Sequence, residues 1–192
     1  MRLPPIDPAK LDPAQKGVYD RIAGGARGAV RGPFLALLHS PELAGRVEQL
    51  GVFVRYECSV PQRLREIAIL VVARHWRAEY EWYAHAPIAE KLGIPAEIID
   101  AFGRGQAAQW PEAEDALVVA FCSMLLSTGR VDEETYAAVT SRLGQRGVTD
   151  LVGLVGYYTL LALTLNAHEV EVPADAQLPW KQTSLTGEEA GT

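Results

Sequence analysis

Residues 63–85 read RLREIAILVVARHWRAEYEWYAH, and this stretch decides the fold. Apolar residues recur every three or four positions through its first half, which is the spacing of a helix with one buried face. A second helical pattern runs from about Glu79 to Leu92 and meets Gly93, a residue that favours the end of a helix. The stretch therefore predicts two consecutive helices, with the chain turning between them near residues 77–78.

Helical signals also dominate the remainder of the chain, and sustained period-two alternation is almost absent. Residues that favour helix starts, among them Ser40, Pro61 and Asp132, precede several of the periodic segments. Outside residues 63–92, the predicted helices cover about Pro13 to Ala23, Ser40 to Cys58, Ala96 to Phe102, Pro111 to Leu126, Asp132 to Leu143, and a last helix that Thr149 or Asp150 caps and that runs to about Asn166.

No change in composition marks a linker between domains. The sequence predicts a single domain over residues 1–192, with its core at about 30–173 and a C-terminal extension at 174–192. The segment 151–165 is apolar on all sides, so its helix needs cover from its own domain or from another subunit. It is shorter than the roughly 20 residues that span a bilayer, and we predict a buried helix in a homo-oligomer.

The composition excludes several classes of function. Hydrophobic residues make up 48% and charged residues 22% of the chain, as in ordinary globular proteins, and the formal net charge is -6. An acidic chain has no general attraction for nucleic acid or for anionic membrane surfaces. The N-terminus lacks the apolar core of a signal peptide, and the two cysteines, Cys58 and Cys122, form no disulfide framework. We therefore expect a cytoplasmic protein that acts on a small molecule.

The quoted stretch also concentrates the residues that carry chemistry. On one straight helix, Glu66 and His85 would lie about 28 Å apart at ~1.5 Å per residue, so they can meet only if the chain turns between them. On the second helix, Glu81, Trp82 and His85 share a face with Ala78 at three- and four-residue spacing. A carboxylate beside an imidazole beside an indole is typical of a proton-transfer pocket.

Purely structural interpretations of the same residues stay open at this point. Glu81 and His85 also fit a pair on a helix surface, and Glu66 also fits the solvent side of an amphipathic helix. Tryptophans such as Trp82 belong more often to the core than to a ligand site. The spacing predicts no metal site, since His-Glu-x-x-His and a close set of three ligands are both missing.

Two blocks of this region, residues 65–74 and 79–89, resemble the carboxymuconolactone decarboxylase family, which includes alkylhydroperoxidase D-like proteins. Segments 34–42 and 150–173 resemble the flanks of that family's core, so the likeness covers most of residues 30–173. It implies an all-α fold, a compact bundle of seven or eight helices. It also implies a symmetric homo-oligomer, a trimer or hexamer and otherwise a dimer.

The resemblance also assigns roles to particular positions. In the family's peroxidase branch, a glutamate and a histidine serve a Cys-x-x-Cys pair, and Glu66 and His85 occupy the matching places. Ala78 and Glu81 stand where the two cysteines would be. Because thiol peroxidase chemistry needs a thiolate and a resolving thiol, we predict that this chain is not a Cys-x-x-Cys alkylhydroperoxidase.

The decarboxylase branch implies a different reaction, loss of carbon dioxide from a small carboxylated lactone without a metal or organic cofactor. His85 is the predicted proton donor, Glu66 orients it or relays protons, and Glu81 is a second acid or base. The predicted substrate-binding residues are Trp82 as a wall, Tyr80 or Tyr83 as an oxyanion donor, and Phe34 and His39.

Other functions fit the same residues. Isomerisation, dehydration, ring closure or retro-aldol cleavage of a small carbonyl compound would use the same acid and base. A non-catalytic helical oligomer that binds a small hydrophobic ligand is the main alternative, with Glu81 and His85 as a structural pair. A cysteine-independent, peroxidase-like stress protein is a further one. The roles of His168 and of the C-terminal extension stay open.

Overall fold

The computed structural model describes residues 1–180, and all regular structure in that range is helical. This confirms the predicted all-α bundle of seven or eight helices. A 3₁₀ turn (Pro8–Lys10) and a π-helical turn (Phe53–Glu57) accompany the eight α-helices. The α-helices are α1 (Pro13–Gly24), α2 (Pro33–Leu37), α3 (Pro41–Val52), α4 (Gln62–Trp76), α5 (Glu79–Lys91), α6 (Ala96–Gly103), α7 (Ala113–Thr128) and α8 (Glu133–Ala167).

Helix α4 forms the centre of the core. Every residue from Glu66 to Ala73 is buried, and α5, α7 and α8 all pack against it. A helix that is apolar over most of its circumference is stable only when neighbours cover it on all sides. The central position of α4 therefore fixes Glu66, its one buried charged residue, inside the protein.

The chain turns between α4 and α5 where the sequence predicts it. Arg77 adopts the left-handed conformation, with φ of 48°, and its N–H donates to the carbonyl oxygen of Arg74. The N–H of Ala78 donates to the carbonyl oxygen of Ala73 at 2.8 Å. These bonds satisfy the last carbonyls of α4 and send α5 back along it.

Two predicted helix starts differ in detail from the structure. Ser40 does precede α3, but its side chain makes no capping hydrogen bond. The prediction that Thr149 or Asp150 caps the last helix is wrong, because α8 resumes directly after a break at Gly144, where φ is 69° and ψ is 172°. Asp150 instead accepts hydrogen bonds from the backbone N–H and the hydroxyl of Ser59, at 2.8 and 2.7 Å.

The C-terminal half of α8 is buried on one side only. Leu151, Leu154 and Tyr158 belong to the core, whereas Val152 and Leu163 are 43% and 45% exposed. Helix α8 is long and apolar enough to cross a membrane by length and composition alone. However, 56% of its most apolar 18-residue segment is buried within the protein, as in the core helix of a globular domain. The exposed apolar side is compatible with the predicted homo-oligomer, which stays a prediction.

The first part of the predicted C-terminal extension returns to the core. Trp180 lies against Trp82 with ring centroids 5.0 Å apart, and Pro179 covers Gly103. A Cβ atom on Gly103 would lie 2.4 Å from Pro179, so only glycine allows this approach. The rest of that extension, residues 181–192, lies outside the described residues.

Candidate active site

Glu66 and His85 meet in the core, as the turn between α4 and α5 requires. The His85 Nδ1 atom lies 2.6 Å from Glu66 Oε2, and the two residues are 5% and 6% exposed. A carboxylate oxygen accepts a hydrogen bond from an imidazole N–H, which assigns the proton of His85 to Nδ1 and leaves Nε2 as the nitrogen available to a substrate. The pair has the geometry of a base held in one tautomer by a carboxylate.

Glu81 lies one helical turn before His85 and is 3% exposed. Neither of its carboxyl oxygens has a hydrogen-bond partner among the described residues. Burial raises the pKa of Glu81 well above its ordinary value, because desolvation penalises the charged form. Burial therefore favours the protonated, neutral form of Glu81, which can donate a proton.

A third polar group, the phenol of Tyr158 on α8, completes this cluster. Its ring packs edge-on against His85, with centroids 5.2 Å apart and planes at 88°. The hydroxyl group is buried and has no hydrogen-bond partner within residues 1–180. Burial raises the pKa of Tyr158 well above its ordinary value, so the phenol remains a hydrogen-bond donor.

These groups line a cavity of about 420 Å³, which is within the range of small-molecule sites. One side of the cavity depends on Gly32, where φ is 59° and where a Cβ atom would lie 2.3 Å from the ring of Tyr80. The other lining residues are Ala26, Arg27, Ala29, Arg31, Pro33, Phe34, Arg55, Tyr56, Tyr83, Ala84, Pro87, Ile88, Leu161 and Leu165.

Most of the predicted site residues lie at this cavity. The cavity is lined by five of them, Phe34, Tyr80, Glu81, Tyr83 and His85. A sixth, the buried Glu66, bonds directly to His85. Their catalytic and binding roles stay predictions, because position alone tests no reaction. The cavity nonetheless brings a carboxyl group, an imidazole and a phenol together with an aromatic wall.

Two of the predicted binding residues, Trp82 and His39, do not line this cavity, and their binding roles stay predictions. Trp82 points to the other side of α5, where it stacks on Phe102 at 6.5 Å between ring centroids. His39 is exposed, and its Nε2 atom lies 3.1 Å from the carbonyl oxygen of Pro4. His168, left open from sequence, follows the end of α8 and does not line the cavity.

Sequence reasoning missed the arginines of the cavity. Arg27 and Arg31 lie in the glycine-rich connection before α2, and Arg55 lies on the π-helical turn after α3. Their only sequence signal is the presence of cations in segments that end or join helices. No spacing relates them to the motif at 63–85, so only the fold brings them to Tyr158 and His85.

The thiols lie apart from this cavity. Cys122 is fully buried in the core, where burial raises the pKa of its thiol, and the Cys58 Sγ atom donates to the carbonyl oxygen of Val54 at 3.1 Å. Neither residue lines the cavity. Within the described part of the chain, no group of three or more histidine, cysteine, aspartate or glutamate residues could hold a metal ion.

Solved structures share this architecture at low sequence identity. An uncharacterised peroxidase-related protein with the alkylhydroperoxidase AhpD core, from Ralstonia eutropha JMP134, has a TM-score of 0.73 and 17% identity, covering 91% of this chain and 93% of its own. A peroxidase-related protein from Silicibacter sp. TM1040 has a TM-score of 0.69 and 14% identity, covering 89% and 92%. The debrominase Bmp8 in complex with 2,3,4-tribromopyrrole has a TM-score of 0.69 and 14% identity, covering 88% of this chain and 90% of its own.

No protein-family model and no curated protein sequence matches the chain. The three structural likenesses define an AhpD-like fold, which confirms the fold that the sequence resemblance implied. At these identities the likeness establishes the fold alone, and the chemistry has to be argued from the site itself.

Proposed function

We propose that this protein is an acid–base enzyme that acts, without an organic cofactor, on a small carbonyl compound, with decarboxylation as its favoured reaction. The observation that carries the proposal is the presence of two buried carboxyl groups in different environments. Glu66 accepts a 2.6 Å hydrogen bond from His85, whereas Glu81 has no hydrogen-bond partner within residues 1–180 and burial raises its pKa. Environments that separate two neighbouring carboxyl groups in this way identify the base and the acid of a site.

In a decarboxylation the carbon–carbon bond to the carboxylate breaks, and its electron pair moves onto an adjacent carbonyl oxygen as an enolate. In this proposal the Tyr158 hydroxyl, which has no hydrogen-bond partner within residues 1–180, donates a hydrogen bond to that oxygen. Collapse of the enolate takes up one proton at carbon, either from Glu81 or from the imidazolium that forms once His85 Nε2 has taken up a proton. The net reaction consumes one proton, releases carbon dioxide and leaves no redox change.

The lack of a Glu81 partner within residues 1–180 also favours catalysis over simple ligand storage. Leaving a buried polar group without a partner costs about 1–3 kcal/mol. A pocket that only stored an apolar ligand would be more stable with an apolar residue in place of Glu81. The retained acid is understandable if its proton is transferred, or its hydrogen bond made, only when substrate is present.

The test is the absorbance-monitored decay of γ-carboxymuconolactone by the wild type and by the Glu66→Gln and Glu81→Gln variants. We expect turnover by the wild type and losses of about 10²–10⁴ in rate for each variant, the usual effect of removing a general acid or base. Circular dichroism and melting curves establish that each variant is folded.

Wild-type decay at the uncatalysed rate would contradict decarboxylation of this lactone. Turnover that both variants retain in full, with the cavity intact, would contradict acid–base catalysis by these groups. Ligand binding without turnover, and unchanged by Glu81→Gln, would favour the non-catalytic alternative.

A further inference from the structure

The cavity carries more positive than negative charge, although the whole chain is acidic. Arg27, Arg31 and Arg55 line it, whereas its own carboxyl group, Glu81, is neutral. The carboxyl group of Glu66 is bonded to His85, and Glu66 does not line the cavity. Within residues 1–180 none of the three arginines has a carboxylate at ion-pair distance, in contrast to arginines such as Arg63 elsewhere in the chain.

Arg55 brings one of these charges to the catalytic groups. It is partly buried on the π-helical turn 53–57, and such turns occur often at functional sites. Burial lowers the pKa of Arg55, but the phenols of Tyr158 and Tyr56 and the Glu66 carboxylate outweigh that effect and raise it. Its guanidinium group therefore stays charged beside the Tyr158 phenol.

Arg27 is held in place before any ligand arrives. Its Nη2 atom donates to the Tyr157 hydroxyl at 2.8 Å, and its guanidinium lies 4.6 Å from the centre of the Phe34 ring. Gly51 makes this arrangement possible, since a Cβ atom there would lie 2.2 Å from the Tyr157 hydroxyl and 2.4 Å from Arg27 Nη2. The Nε atom of Arg27 is buried and has no hydrogen-bond partner in the described residues.

The rest of the lining is suited to an apolar body. Phe34, Tyr80, Tyr83, Leu161 and Leu165 surround the same cavity. We propose that Arg27 and Arg55 form an anion-binding subsite, so that the cavity selects a small carboxylate carried on a flat apolar ring over neutral compounds of the same shape. Guanidinium groups bind carboxylates through charge-assisted hydrogen bonds, and the exposed Arg31 adds attraction at the cavity mouth.

This inference deepens the proposed function, because it names the substrate class of the same cavity, but its test does not need turnover. Isothermal titration calorimetry compares benzoate with its neutral isostere benzamide on the wild type and on Arg55→Gln and Arg27→Gln. Arg46→Gln is the matched control, since Arg46 is an exposed arginine on α3 outside the cavity and the substitution changes the net charge equally.

We expect benzoate to bind the wild type at least about tenfold more tightly than benzamide, and each cavity variant to lose that preference. Arg46→Gln should keep it. Absence of benzoate binding, equal binding of the two probes, or equal effects of Arg55→Gln and Arg46→Gln would overturn the proposal. Benzoate selectivity that persists in Glu81→Gln, in a protein without turnover, would support this subsite and contradict only the proposed reaction.

Discussion

The Glu81→Gln substitution should stabilise the protein increasingly as the pH rises. The folded protein holds Glu81 protonated, with a pKa well above the ordinary value of 4.5 that it regains on unfolding. The folded state therefore binds more protons than the unfolded chain above about pH 4.5, and its stability falls as the pH increases. The loss ends once the pH passes the pKa of the folded state.

The magnitude follows from the release of a single proton. Between the two pKa values, one extra bound proton changes the free energy of unfolding by about 1.4 kcal/mol per pH unit. Glutamine keeps the shape of the side chain and does not titrate. The stability difference between Glu81→Gln and the wild type should thus increase by about 1.4 kcal/mol per pH unit through this window.

Urea denaturation at intervals from pH 5 to pH 8, at one protein concentration, measures this difference. The same substitution at the exposed Glu97 on α6 controls for the chemical change alone. A stability difference for Glu81→Gln that stays constant with pH would show that folding does not change the protonation of Glu81. That result would refute the assignment of a neutral acid.

Three other predictions test the surroundings of the site. Asp115→Ala should destabilise the protein by about 3 kcal/mol in urea denaturation, because it leaves Arg63 without the carboxylate that it binds at 2.7 and 3.1 Å; a loss below about 1 kcal/mol would contradict this. Gly32→Ala should cost roughly 1–3 kcal/mol for its backbone conformation alone, with φ of 59° and ψ of -130°, and should lower turnover by displacing the Tyr80 ring. An unchanged melting temperature and rate would show that the loop adapts freely. Cys122 should react with a thiol reagent only on unfolding, since it is fully buried and burial raises its pKa; rapid labelling of the folded protein would contradict that placement.

The helical fold and the pairing of Glu66 with His85 were predictable from the sequence because both depend on local patterns. The apolar stripe of α4, the turn at Arg77 and the stop at Gly93 lie within a single stretch of chain. Once that stretch folds back on itself, the positions of the two side chains follow from helical geometry.

The position of Trp82 shows the limit of such patterns. Tyr80 and Glu81 both line the cavity, whereas the next residue, Trp82, lies outside it, although residue spacing placed Trp82 on the same face as Glu81 and His85. Glu81 faces α8 and the cavity, and Trp82 faces Phe102 and the C-terminal segment. The rotation of α5 depends on what packs around it, and the spacing of its own residues does not contain that information.

The cavity arginines were beyond sequence reasoning for a related reason. Arg27 and Arg55 come from different connecting segments, and Tyr158 comes from α8, more than 100 residues further along. No periodicity links such distant positions. Their meeting depends on tertiary packing, including the close approach that Gly51 permits between Arg27 and Tyr157.

The most direct test of catalysis by the buried Glu66–His85 pair is the rate of γ-carboxymuconolactone decay by His85→Ala, compared with His39→Ala. Both variants remove one imidazole, but His85 lines the cavity and His39 is exposed outside it. We predict a fall of at least about 10² in the rate for His85→Ala and an unchanged rate for His39→Ala. Equal rates in the two folded variants would contradict the proposed role of the pair.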